Sequence, residues 1–416
     1  MRKRSFLSRW IDKADAIYDT GNSAERLLPM QGLRGIAAFM VFVVHYCAQI
    51  LPWLNTDGFT GEAVKVYRAI GASGVDLFFV LSGFLIYGML IKREQAFLPY
   101  FRRRIRRIYP TFLAVLAVYL ILSVLFPGQS KFSGDMGSDA WLLAGNILLL
   151  PGMFDMTAII SVAWSLSYEM FFYLAVPFTI ALLSLRKWQQ TERVGFLVAV
   201  SVAGFMALGM GYTSHSELLM FFSGMLLFEY THSRETSGLP FRFPLVTVLF
   251  ALLAWYRFSE AGEWVKIAIM FIGYALVCVQ CLDGREVLSR FCTTRFMLWF
   301  GNMSYSYYLI HGLTLKFLFM VLPFLVTPDG QWTYQLYVLM PLFFAVTWLA
   351  STVLYVSVEK PFSLKSPVKG ASLVRHIAGG NADVWNCRNY QPQKTPTGGY
   401  GFASQDEPCS SAQGAG

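Results

Sequence analysis

Long apolar runs, recurring from residue 28 to residue 358, most constrain what this chain can fold into. A helix needs about 20 mostly apolar residues to cross the ~30 Å hydrocarbon core of a bilayer. Charged residues make up only 14% of the 416 residues, against about a quarter in soluble domains. The sequence therefore predicts an all-α polytopic membrane protein with about ten transmembrane helices. The predicted spans are 28–51, 71–91, 108–127, 160–185, 194–212, 216–231, 243–259, 263–282, 298–326 and 334–358.

The distribution of Lys and Arg sets the orientation of these spans. With the N-terminus inside, 27 of the 34 basic residues fall on the cytoplasmic side and five on the outer side. This agrees with the excess of positive charge that cytoplasmic loops carry. Ten spans with both termini in the cytoplasm are the prediction.

The segments outside the spans differ in composition. Residues 1–27 are basic and partly amphipathic, which fits either a helix lying on the cytoplasmic leaflet or a disordered arm. Residues 28–362 form the predicted transmembrane domain, and the polar residues 363–416 a disordered cytoplasmic tail. The net charge is +9, and the basic residues are interleaved with long apolar runs. Lipid headgroups and anionic substrates are therefore favoured over nucleic acid as partners.

The first span contains two ionisable residues, Arg34 and His45. They are eleven residues apart, which is about three helical turns, so both face one side of the helix about 16 Å apart along its axis. Ionisable groups inside a bilayer are costly and usually face a cavity or the bundle interior. A functional site along this helix is the default hypothesis.

Three ionisable groups are predicted at one depth on the outer side: His45, Asp76 and Glu169. A histidine oriented by a carboxylate has a fixed tautomer and greater basicity, as a general base acting on a hydroxyl requires. The sequence thus predicts a catalytic group of these three residues. The alternative is that each one satisfies a buried hydrogen bond.

Arginines cluster before the third span. Arg104 and Arg107 share one helix face and suit a phosphate-bearing ligand. Arginines that flank a span also serve topology and bind anionic lipid, so this alternative stays open.

Other polar residues are candidates for lining a cavity. Ser82 lies in a run of small residues that close helix packing also explains. Tyr305 and His311, with Lys316, are predicted to line the cavity from its inner half. The alternative for His311 is a core histidine with one backbone partner. No paired-histidine zinc motif occurs, so no metal is predicted.

Six sequence elements follow one another along the chain: Gly32-Leu33-Arg34-Gly35 with His45, Gly74 to Phe84, Arg104 and Arg107 before Tyr109-Pro110, Trp164-Ser165-Leu166 with Glu169, Ser304 to His311, and Glu359-Lys360-Pro361. In this order they resemble the membrane acyltransferase 3 family, over about residues 28 to 362. Gln31 departs from the aspartate that is common in the family, which leaves any contact of that carboxylate in doubt.

This resemblance implies a multi-pass enzyme of the bacterial inner membrane that moves an acyl group, usually acetyl, from cytoplasmic acyl-CoA to a hydroxyl of an extracytoplasmic glycan. On that basis His45, Asp76 and Glu169 are the predicted catalytic residues, and Arg34, Arg104 and Arg107 the coenzyme-binding residues. Trp164 joins Ser82, Tyr305 and His311 as a cavity-lining candidate. Two other hypotheses remain at this point: a proton-coupled transporter or flippase, which also needs charged groups at matched depth, and a structural membrane subunit.

Overall fold

The protein is a bundle of helices. The computed structural model describes residues 6–18, 27–232, 263–282 and 287–364, and within them the only β-structure is a pair of isolated bridges. The first helices are α1 (Phe6–Tyr18), α2 (Leu28–Ile50), α3 (Phe59–Ala72), α4 (Gly74–Ser82), α5 (Gly88–Lys92), α6 (Phe97–Leu125), α7 (Met136–Ile147) and α8 (Trp164–Leu182). The later helices are α9 (Gln190–Gly209), α10 (Leu218–His232), α11 (Glu263–Leu282), α12 (Val287–Cys292), α13 (Arg295–Asn302), α14 (Ser304–Val321) and α15 (Gln335–Leu354). The predicted all-α polytopic class is confirmed.

Eight helical segments of the described chain are long and apolar enough to cross a membrane. They correspond to eight of the ten predicted spans. The segment predicted at 216–231 forms α10, whose 15 residues cover about 22 Å. The span predicted at 243–259 lies outside the described residues, as does the predicted tail except for its first two residues.

Helix α2 lies at the centre of the bundle. It packs against α3, α4, α12, α13 and α14. Gly32 permits this approach, because a Cβ at that position would overlap the backbone carbonyl of Cys292. The helix that carries Arg34 and His45 is therefore held in place on several sides.

Two segments of the described chain are π-helical. One, Gly83–Tyr87, connects α4 to α5, and the other, Tyr355–Leu364, continues α15. At the first, a Cβ on Gly83 would overlap the Phe221 carbonyl, and a Cβ on Gly224 would overlap the Val80 carbonyl. The two backbones therefore cross at a distance that only glycine allows. Such π-turns are frequent at functional sites.

The basic N-terminal segment contains a helix, α1, that packs on the bundle. Asp15 accepts a hydrogen bond from the indole of Trp299 at 2.8 Å and pairs with Arg295 at 3.3 Å. The Tyr18 ring is buried and its hydroxyl lies 2.7 Å from that of Thr352. Of the two predicted alternatives for residues 1–27, the structure shows a docked helix over Phe6–Tyr18.

Candidate active site

An internal cavity of about 270 Å³, here called the arginine cavity, lies between α2, α4, α6, α8 and α14. Six of the sequence-predicted site residues line it: Arg34, Ser82, Arg104, Arg107, Glu169 and Tyr305. Three guanidinium groups thus share a space with one carboxylate. The excess of positive charge suits an anionic ligand.

Two of the three arginines have unsatisfied hydrogen-bonding groups. The Nε atoms of Arg34 and Arg104 are buried and have no hydrogen-bond partner in the described part of the chain. Arg104 lies 5.5 Å from the ring centres of both Tyr100 and Tyr173, and its Nη2 contacts the sulfur of Met89 at 3.5 Å. Because buried polar groups are nearly always paired, these two side chains are ready to bind a further group.

Arg107 is different, because it already has a carboxylate partner. Its Nη1 lies 2.6 Å from Oε1 of Glu359, whose side chain is completely buried. The same carboxylate accepts hydrogen bonds from the backbone amide and the hydroxyl of Ser306 in the first turn of α14. Glu359 therefore neutralises Arg107 and caps a helix N-terminus, where free amides favour a negative charge.

Glu169 belongs to the arginine cavity. It accepts hydrogen bonds from the hydroxyls of Tyr173 and, at 3.3 Å, Ser82. Its charge also acts on Arg34. This corrects the predicted catalytic group, in which Glu169 lies beside His45.

His45 lines a second cavity of about 500 Å³, here called the histidine cavity. Its polar lining consists of His45, Gln49, Tyr119, Ser123, Gln129, Lys131, Ser161 and Lys316. Lys316, predicted for the inner half of the bundle, therefore belongs to the His45 end. Arg34 and His45 lie in different cavities along one helix, about 16 Å apart.

A second histidine lies behind His45. The rings of His45 and His311 are 5.2 Å apart between centroids. His311 is fully buried, and its Nδ1 donates to the Tyr307 carbonyl at 3.0 Å. Its Nε2 has no partner within the described residues. Since the carbonyl fixes the proton on Nδ1, the neutral ring keeps a lone pair on Nε2 that can accept a proton.

Asp76 does not line either of these cavities. Its charge acts on Tyr274 of α11, whose hydroxyl lies 2.6 Å from that of Ser73. The expected role of Asp76 in orienting His45 is not supported by this placement. The rise per residue of a helix predicts how far apart residues lie along its axis. It does not predict which neighbouring helices their side chains point toward.

Tyr308 lies between residues that line the two cavities. Its ring lines the arginine cavity, while the neighbouring Leu309 lines the histidine cavity. The Tyr308 hydroxyl bonds to the Ser165 hydroxyl at 2.7 Å and donates to the Val162 carbonyl at 2.9 Å. The Tyr308 hydroxyl thus contacts Ser165, which lines the arginine cavity, and Val162, which lines the histidine cavity, and no described residue lines both.

Two of the cavity candidates, His311 and Trp164, line neither cavity. The position of Trp164 is fixed by a neighbouring aromatic residue. Its ring packs edge-on against Tyr168 at 5.8 Å. Reasoning from the sequence omitted Glu359, Tyr308 and Lys131 from the site. Glu359 gave a usable signal, because a carboxylate directly after a long apolar run needs a partner.

Comparison with known proteins identifies the family. Residues 30–356 match the model of the acyltransferase 3 family, described as "Acyltransferase domain". The chain belongs to this family. Its membrane-spanning helices therefore form an acyltransferase domain, and the arginine and histidine cavities are the candidate active site of this domain.

Three relatives illustrate the similarity. The chain is 31% identical over 161 residues to "Acyltransferase MdmB" of Streptomyces mycarofaciens, covering 36% of this chain and 38% of the relative. It is 27% identical over 265 residues to "Exopolysaccharide production protein ExoZ" of Rhizobium meliloti, covering 60% and 78%. It is 30% identical over 200 residues to "O-acetyltransferase OatA" of Staphylococcus aureus, covering 44% and 29%. The match thus spans well under half of MdmB and OatA. No solved structure matches the chain.

Proposed function

We propose that this acyltransferase moves an acyl group from acyl-CoA, bound through the arginine cavity, to a glycan hydroxyl in the histidine cavity. The observation that carries the proposal is the pair of arginines, Arg34 and Arg104, whose buried Nε atoms have no partner in the described chain. A ligand with several phosphates supplies the missing acceptors, and guanidinium groups bind phosphate in a bidentate manner. The cavity's charge favours such a ligand over a neutral one.

The orientation of the cavities supports a reaction that works across the membrane. The arginine cavity lies at the end of the bundle where the arginine-rich start of α6 and the N-terminal end of α2 meet. The positive-inside rule assigns that end to the cytoplasm. The histidine cavity then opens toward the outside of a bacterial cytoplasmic membrane, where the acceptor would bind.

In the proposed reaction, His45 takes the proton from the attacking hydroxyl while the hydroxyl oxygen bonds to the thioester carbonyl carbon. The carbon–sulfur bond then breaks, the acyl ester remains on the acceptor, and the proton returns to the departing sulfur as a thiol. His311 lies where it can share the proton, because its Nε2 has no other partner in the described residues. Tyr308 must move for the thioester to reach His45.

The names of the relatives support parts of this proposal. OatA is named an O-acetyltransferase and ExoZ an exopolysaccharide production protein. Acetyl-CoA is therefore the donor to test first, and an extracytoplasmic carbohydrate is the proposed acceptor class. The donor's chemistry requires no metal.

The test is binding of radiolabelled acetyl-CoA to the purified protein in lipid nanodiscs. Arg104→Gln and Arg34→Gln should each weaken binding by about tenfold or more, as expected for the loss of a charge-assisted contact worth ~1.5–3 kcal/mol. Arg102→Gln is the matched control, because Arg102 is exposed on the same helix as Arg104. Unchanged binding in both cavity variants, or flux of a substrate without coenzyme, would refute the proposal.

A further inference from the structure

Apart from His45, the acidic and basic residues that line the histidine cavity in the described chain are all lysines. Two lysines, Lys131 and Lys316, line it, and no Asp or Glu of the described chain does so. Both lysines are exposed at the cavity, so they face whatever enters it. The remaining polar lining consists of neutral amides and hydroxyls beside His45.

The two lysines are near enough to affect each other. Partial burial and the Lys316 ammonium lower the pKa of Lys131, which lies in the loop between α6 and α7. The Lys131 ammonium donates to the Ala158 carbonyl, which does not neutralise its charge. Two ammonium groups that repel each other in one cavity are stabilised when an anion binds between them.

Positive charge is scarce at this end of the bundle. Topology selects against Lys and Arg outside the membrane. Lys65, on α3, is paired with Glu62 at 2.7 Å, whereas neither cavity lysine forms a salt bridge with a described residue. A cavity for a neutral sugar needs amide and hydroxyl groups but not two ammonium groups.

We infer that the histidine cavity selects an acceptor carrying a negative charge, a carboxylate or phosphate on the glycan, held by Lys131 and Lys316 while a hydroxyl faces His45. This inference rests on the proposed function, because it takes the histidine cavity as the acceptor site. The amides of Gln49 and Gln129 provide hydrogen bonds to the sugar hydroxyls. Tyr119, Phe126 and Phe317 provide apolar surface for the ring.

The experiment compares matched acceptors. Fluorescently labelled glucuronate oligosaccharides, their carboxyl-reduced neutral counterparts and a phosphomonoester-bearing disaccharide are titrated against the purified protein in nanodiscs. We expect the better of the two anionic probes to bind about tenfold tighter than the neutral one at low salt, with the difference shrinking as salt is added. The ranking of carboxylate against phosphate identifies the source of the charge.

Variants assign the effect to the two lysines. Lys131→Gln combined with Lys316→Gln should remove the preference, while Lys131→Arg combined with Lys316→Arg should keep it. Lys65→Gln is the control at the same end of the bundle. Equal binding of anionic and neutral probes, no binding of any probe, or a preference that survives the double Gln variant would overturn the inference.

Transfer is measured in parallel as release of the free thiol of coenzyme A. Transfer without any preference for the charged acceptor overturns the inference and leaves the proposed function standing. Charge-dependent binding without thiol release from acetyl-CoA supports the inference about the cavity and counts against the proposed reaction.

Discussion

Glu359 holds Arg107 at 2.6 Å inside the bundle, while Arg104, one turn earlier on α6, has no carboxylate at that distance in the described chain. Two arginines that look equivalent in the sequence thus have different roles. Arg107 joins α6 to the π-helical segment after α15 and to the start of α14. Arg104 is available to a ligand.

The first prediction separates these two roles. Arg107→Gln leaves the buried Glu359 carboxylate without its cation, so we expect a loss of about 3–5 kcal/mol of stability. Arg104→Gln removes a charge that forms no salt bridge with a described residue, so it should change stability by less than about 1 kcal/mol while weakening acetyl-CoA binding. Apparent melting temperatures in detergent, measured beside binding, test this contrast. Equal melting temperatures for the two variants would contradict it.

The second prediction concerns the hydroxyl of Tyr308. Tyr308→Phe loses the bonds to Ser165 and the Val162 carbonyl. At ~1 kcal/mol for each of the two bonds, the open state should become about 30-fold more populated. Water then reaches the thioester, so acceptor-independent hydrolysis of acetyl-CoA to acetate and free thiol should rise while coenzyme binding stays constant.

Tyr307→Phe is the matched control for that experiment. Its hydroxyl bonds to Thr347 at 2.9 Å and lines neither cavity. The hydrolysis rate of this variant should equal that of the unsubstituted protein. An unchanged rate in Tyr308→Phe would show that Tyr308 does not separate donor from water.

The third prediction tests the histidine pair. His311→Asn keeps a donor for the Tyr307 carbonyl but removes the free Nε2, so transfer should fall by about 100-fold, a typical contribution of a positioned acid or base. Coenzyme binding should not change. A neutral imidazole is needed to accept a proton, so activity should fall as pH is lowered, and this acid limb should change shape in the variant.

A histidine elsewhere provides the control. His215 contacts the Tyr168 hydroxyl at 3.0 Å, outside both cavities. His215→Asn should keep the rate and the pH profile. If His311→Asn lowers the rate without altering the profile, His311 supports the fold only and does not take part in proton transfer.

The fourth prediction concerns the close crossing of α10 and the Gly83–Tyr87 segment. A methyl group on Gly224 would overlap the Val80 carbonyl, so Gly224→Ala should cost about 1–3 kcal/mol. Gly195 on α9 has open space around it, so Gly195→Ala should be neutral or gain up to ~1 kcal/mol. Yields of folded protein and melting temperatures compare the two. Similar losses in both would rule out the crossing as the cause.

Hydropathy and motif order predicted the class, the family and most span positions, because a bilayer imposes length and composition directly. The shared face of Arg34 and His45 on α2 was also predictable, since the two residues are separated by whole helical turns. Arg104 and Arg107 were expected to share a helix face because they are three residues apart, and both line the arginine cavity.

What the sequence did not predict is the direction in which separate helices face. Glu169 and His45 were placed at one depth, but tertiary packing points them into different cavities. The same limitation concealed Glu359, which reaches Arg107 across 252 residues of chain. The short span predicted at 216–231 matches α10 to within two residues at each end, but this 15-residue helix is not among the eight segments long enough to cross a membrane.

The Lys360 ammonium donates to the carbonyls of Ala16 and Ile17 at 2.8 and 2.7 Å, so the C-terminal end of α1 is attached to the residue next to Glu359. An N-terminal fusion or truncation that displaces α1 would therefore disturb the segment that positions Arg107. Purification tags and reporter fusions belong at the other end of the chain, and an N-terminally tagged enzyme that loses activity should first be examined for disruption of this attachment.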